Sequence, residues 1–135
     1  MKYIDLKSKV YLVTGANGRI GYELSKQLIN LGARVIMTDI RINKIKFLNQ
    51  NEKFLIKKID ITKEDNIKNI ISFGVKKFKK IDGIIHCAYP VTKDWGVSFK
   101  KLKSKSLKEN LFNQLGSSIL ISKYFINYFL KKKIN

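Results

Sequence analysis

The run Thr14-Gly15-Ala16-Asn17-Gly18-Arg19-Ile20-Gly21 places a glycine at every third position. Glycines in that pattern permit three things a side chain would block. Gly15 allows a sharp turn off a strand, Gly18 lets the main chain approach a pyrophosphate, and Gly21 lets a helix lie close on a sheet. Asn17, Arg19 and Ile20 fill the turn and the first helical positions. Their amides therefore belong to a helix N-terminus, where unpaired N–H groups and a partial positive charge favour phosphate. Asp39 follows at roughly 20 residues, the interval that brings a carboxylate to a ribose diol. The same carboxylate would repel a 2′-phosphate, so NAD is favoured over NADP. Arg41, two positions on, softens that preference.

These residues act together only if strands and helices bring them to one edge. Strand-length apolar runs alternate with longer stretches of helical period, which predicts an α/β fold. The expected form is a Rossmann-type parallel sheet with helices on both faces, in the order βαβαβαβα. Val10–Val13 reads as the first strand, and a helix follows from about Gly18 to Leu31 with Ile20, Leu24, Leu28 and Leu31 on its apolar face. Gly32 stands where a left-handed cap is needed. Ala33–Thr38 reads as the second strand, closed by Asp39, and Ile42–Leu48 as a short helix. Phe54–Ile59 is the third strand. Thr62 with Asp65 resembles a capping box for a helix that buries Ile67, Ile70, Ile71, Val75 and Phe78. Gly83–Ala88 is the fourth strand. Ser106 with Glu109 would cap a last helix carrying Leu111, Leu115, Ile119, Phe125 and Phe129, whose apolar face (Leu111, Leu115, Phe125) is expected to stay exposed.

With the turn and Asp39 in place, the sequence resembles the short-chain dehydrogenase/reductase family across nearly its whole length. Thr14–Gly21 is similar to that family's TGxxGxxG variant. Asp60-Ile61 resembles its Asp-hydrophobic pair after the third strand, which implies that Asp60 meets the adenine amino group. His86-Cys87-Ala88-Tyr89 stands where the family has Asn-Asn-Ala-Gly beside the cofactor, and only Ala88 matches. The resemblance implies that Ala88 and Tyr89 border the dinucleotide. The segment from Ala88 through Gly96 is similar to a bacterial branch that acts on sugars in surface-polysaccharide and flagellin-glycan synthesis. Beside this, His86, the lone histidine, reads as structural, Cys87 as a small core residue and Trp95 as a loop anchor.

Family chemistry also uses a tyrosine and a lysine four residues later on one helix face, with a serine from a preceding fifth strand. Tyr3/Lys7, Tyr22/Lys26, Tyr89/Lys93 and Tyr128/Lys132 all have that spacing. In so lysine-rich a chain it is cheap, and no fifth strand precedes Tyr128. None is taken as catalytic. The sequence therefore reads as one domain, residues 1–135, holding the cofactor half of an oxidoreductase: a truncated or split-gene product whose last helix awaits a second copy or a complementing C-terminal chain.

The net charge is +18, yet of 28 basic residues only Arg19, Arg34 and Arg41 are arginines. Nucleic-acid surfaces favour arginine forks, and no nucleic-acid-binding motif occurs, so that reading ranks last. A non-catalytic nucleotide-binding or dimerising module is the stronger alternative. A single cysteine fits a reducing compartment, and no apolar run spans a membrane, which predicts a soluble cytoplasmic protein without metal.

Overall fold

In a computed structural model, residues 5–45 and 53–134 are described. Strands β1 (Val10–Thr14), β2 (Arg34–Asp39), β3 (Phe54–Lys58) and β4 (Gly83–His86) form one sheet of order β3-β2-β1-β4. All its ladders are parallel. Helices are α1 (Arg19–Asn30), α2 (Glu64–Phe78), α3 (Ser104–Leu111) and α4 (Ser117–Ile134). The crossover from β3 to β4 passes β2 and β1, so the strand order reverses beside β1. In open parallel sheets a ligand crevice forms at that reversal, outside the carboxyl ends of the strands.

Each central strand is apolar on both faces, as a doubly covered parallel strand must be. Val10 and Leu12 of β1 join Ile36 of β2 in a cluster with Ile67, Ile70 and Phe78 from α2 and Ile121 and Phe125 from α4. Val13 of β1 joins Val35 and Met37 of β2 in the opposite cluster, closed by Leu28 of α1. Register fixes this division. Leu12 lies beside Ile36 and Val13 beside Met37, so residues sharing a face also share a rung.

Several expectations need correction. Helix α1 does not bury the stripe Ile20-Leu24-Leu28-Leu31. It buries Gly21, Ser25 and Leu28, while Ile20 is 71% exposed. Gly21 decides this: a Cβ there would lie 2.3 Å from the Gly15 carbonyl oxygen, so that face must meet the sheet and Ile20 turns outward. Neither expected capping box forms. Lys63 occupies the N-cap of α2 and Lys103 that of α3, both without a side-chain cap. Thr62 Oγ1 instead donates to Asp60, and Ser106 Oγ donates to Asp94 Oδ2 at 2.5 Å.

The single last helix is two, joined by a wide π-type turn at Phe112–Gly116. Ser117 Oγ donates back to the Asn113 carbonyl and Ser118 Oγ to that of Gln114, a side-chain competition that bends helices. Leu111 and Leu115 are exposed as expected, but Phe125 is buried in the core. Ile119, expected on the same stripe, is 58% exposed. Gly32, at φ +89°, supplies the left-handed cap of α1. The expected short helix Ile42–Leu48 begins with a turn at Asn43–Ile45, and its remainder lies outside the described residues.

Candidate functional site

The carboxyl ends of β1, β2 and β4 converge on a cleft of about 800 Å³. Its near wall is the turn between β1 and α1. Gly15 sits at φ +67°, and a Cβ there would be 2.6 Å from the backbone of Cys87 and Ala88. Only glycine lets β4 close on this turn. The junction is stitched further by Thr14 Oγ1, 2.7 Å from His86 Nδ1, and by the Cys87 amide donating to the Thr14 carbonyl.

Helix α1 opens at Gly18 without a side-chain cap and without an acidic residue in its first turn. The positive end of the helix is thus left to whatever enters the cleft, and no acceptor within a helix reaches its first amides. An anion of phosphate type fits this end, which is the structural test of the dinucleotide reading.

Asp39 closes β2 on the same side of the sheet as the turn. Its Oδ2 accepts the Asn17 amide at 3.0 Å and its Oδ1 the Arg41 amide at 2.9 Å. The carboxylate is therefore held in one orientation, and each oxygen retains a lone pair for a further donor. Asp60 lies across the cleft after β3. Its Oδ1 accepts the Thr62 amide and hydroxyl, and Oδ2 takes no hydrogen bond among the described residues. Ile61, 6% exposed, gives an apolar floor beside it. Ala88 and Tyr89 line the far end, where the Tyr89 ring stands edge-on to Trp95 at 5.7 Å.

Of the residues expected at the site, Gly15, Asn17, Gly18, Asp39, Asp60, Ile61, Ala88 and Tyr89 line this cleft. Gly21 does not; it is buried against Gly15. Arg19 begins α1 with an exposed side chain, and the Ile20 side chain also faces outward, so neither side chain lines the cleft. Cys87, read as a core residue, lines the cleft instead, where burial pushes its thiol pKa up. Asn43 and Lys44 were missed because their segment read as helix; they line the cleft next to Arg41.

The tyrosine–lysine pairs separate clearly. The Tyr128 hydroxyl accepts the Ile81 amide at 2.9 Å, just before β4 begins and therefore at the opposite edge of the sheet from the cleft. Tyr22 packs on the core with Lys26 over its ring, and Tyr3 lies outside the described residues. Tyr89 meets the cleft, but from a loop. Among the described residues no group of three His, Cys, Asp or Glu could hold a metal, and no helix is long and apolar enough to cross a membrane.

The family model described as short chain dehydrogenase matches residues 9–134. The chain belongs to the short-chain dehydrogenase family. Among curated members it is similar to the post-translational flagellin modification protein A of Campylobacter coli, at 34% identity over 94% of this chain and 52% of that protein. It is also 33% identical to a 3-oxoacyl-[acyl-carrier-protein] reductase of Rickettsia bellii over 67% of this chain and 36% of that one. A short-chain dehydrogenase from Leptospira borgpetersenii, solved with bound NAD+, superposes with a TM-score of 0.81 at 26% identity. That match covers 95% of this chain and 48% of the other. The chain thus spans about half the length of these family members, and its sheet is the family's Rossmann-type, nucleotide-binding one.

Proposed function

We propose that this chain is the cofactor-binding portion of a short-chain oxidoreductase that prefers NAD. In this reading the pyrophosphate lies over Gly15, Asn17 and Gly18 with the Arg19 and Ile20 amides at the start of α1 as donors, while Gly21 contributes only by letting the helix pack close beneath the turn. Asp39 accepts from the adenosine ribose, Asp60 and Ile61 hold the adenine, and Ala88 and Tyr89 border the nicotinamide half. The observation carrying it is the oriented Asp39 carboxylate, joined through the Asn17 amide to an uncapped helix end. When bound, the dinucleotide supplies or accepts hydride. The protein holds and orients it.

NAD is preferred because Asp39 faces the ribose, whereas Arg41 and Lys44 at the rim moderate the exclusion of a 2′-phosphate. The relatives' chemistry gives the wider reading. We take the substrate to be a sugar of surface-glycan synthesis, the reading that the Ala88–Gly96 segment implies; the Campylobacter coli relative is named for flagellin modification. The proton-transferring tyrosine and lysine are assigned to a complementing C-terminal segment, because Tyr128 is engaged at the wrong edge of the sheet. Calorimetric titration of NAD and NADP into the protein tests the core of this. Binding of NAD at least several-fold tighter than NADP is expected, and a folded protein that takes up neither would end the cofactor reading.

One observation favours a second reading, an interaction module. α4 presents exposed Ile119, Ile126 and Leu130, continuing the exposed Leu111, Phe112 and Leu115. A shallow groove of about 410 Å³ runs along it between Ser118 and Ile126. A discrete dimer in size-exclusion chromatography, formed without NAD, would support that reading; a monomer would remove it.

A further inference from the structure

The phosphate turn and the loop after β2 are not independent. Asn17 lies between them, 9% exposed, and every polar atom of its side chain is engaged across the gap. Its Oδ1 accepts the Lys44 amide at 2.9 Å, and its Nδ2 donates to Asn43 Oδ1 at 2.8 Å. Its own amide donates to Asp39 Oδ2. Ile45, fully buried, anchors the loop one residue beyond Lys44. The side chain is thus committed to the protein, and what it offers a ligand is the placement of its neighbours.

We propose that Asn17 is a positioning residue: with Asn43 it latches the phosphate turn to the ribose-side loop and so presets the Asp39 carboxylate for the adenosine diol. The proposal rests on the cofactor reading above. Its physical basis is preorganisation. A carboxylate already fixed when the ligand arrives discriminates for a hydroxyl more sharply than one that must be ordered on binding. If the latch is opened, Asp39 keeps its charge and its place at the end of β2. It loses its fixed direction, because the Asn17 amide and the Arg41 amide no longer move as one unit.

Asn17→Ala, Asn43→Ala and the double variant are compared with the parent for binding of NAD and of the analogue lacking the adenosine 2′-hydroxyl. The parent is expected to prefer NAD about tenfold, consistent with a hydroxyl bonded to a charged acceptor. Each single variant should narrow that preference to about twofold. The double variant should be no worse than Asn17→Ala, since both remove one latch. A preference unchanged in folded single variants, or losses that multiply in the double, would overturn the proposal. The Lys44 amide is followed by hydrogen exchange in the free proteins. Exchange at least tenfold faster in Asn17→Ala is expected, and unchanged protection overturns the latch even if the parent binds no NAD. Should Asn17→Ala fail to fold, Asn43→Ala and its effect on the ligand preference decide.

Discussion

Gly15 carries two constraints at once, a left-handed backbone and the approach of Cys87 and Ala88 to 2.6 Å of any Cβ. Relaxing only the first would leave the clash, so Gly15→Ala is expected to cost about 2 kcal/mol or more and to abolish NAD binding, read by thermal melting and calorimetry. Asp39→Ala should weaken NAD by about tenfold or more and tighten NADP, because it removes both the charge-assisted acceptor for the diol and the negative charge that repels a 2′-phosphate. These residues were legible in the sequence because turn geometry and charge depend on residue type. The roles of Asn17 and Cys87 were not. Whether an amide side chain faces a ligand or a neighbouring loop depends on residues such as Asn43, which no local pattern ties to it. His86 adds a pH dependence. Burial pushes its imidazole pKa down, so the folded state holds it neutral and the unfolded chain binds the extra proton. Stability should therefore fall as pH drops below about 6.5 and level off only under the folded-state value, which denaturant titrations between pH 8 and about 5 would register. His86→Asn should flatten that slope.

At the scale of elements, strand positions and the buried face of α2 followed directly from apolar runs, whereas the face of α1 and the N-caps of α2 and α3 did not. α1 shows why: the closeness of Gly21 to Gly15 selects the buried face over the larger apolar stripe through Ile20. α2 ends on Lys79 at φ +67°, a conformation that suits glycine far better than lysine. Lys79→Gly is expected to raise stability by about 0.5–1 kcal/mol, measured by urea unfolding, because the cap amide bond to Val75 is kept and the backbone strain removed. On α4, Tyr128→Phe leaves the Ile81 amide without its acceptor and should cost about 1 kcal/mol with no change in NAD affinity. A loss of cofactor binding instead would place Tyr128 in the site after all.

Over the whole molecule, a charge of +18 acts against compactness. The described lysine–acid pairs are Lys26–Glu23, Lys68–Asp65 and Lys80–Asp82, and only the last is partly sheltered. Raising salt from about 10 mM to 150 mM shortens the screening length from about 30 to 8 Å, so the melting temperature should climb by a few degrees. A fall would mean that attractive pairs outweigh repulsion. The pattern of the sheet itself was readable from the alternation of elements, but the reversal of strand order beside β1 rests on contacts distant in sequence. That order has a further consequence at β4. It hydrogen-bonds to β1 on one side, and its other margin is the end of the described sheet. Such a margin is a row of backbone donors and acceptors at strand spacing, a template onto which any extended peptide of suitable shape can be laid. A strand added at that margin would lie beside the strand that leads into Ala88 and the mouth of the cleft.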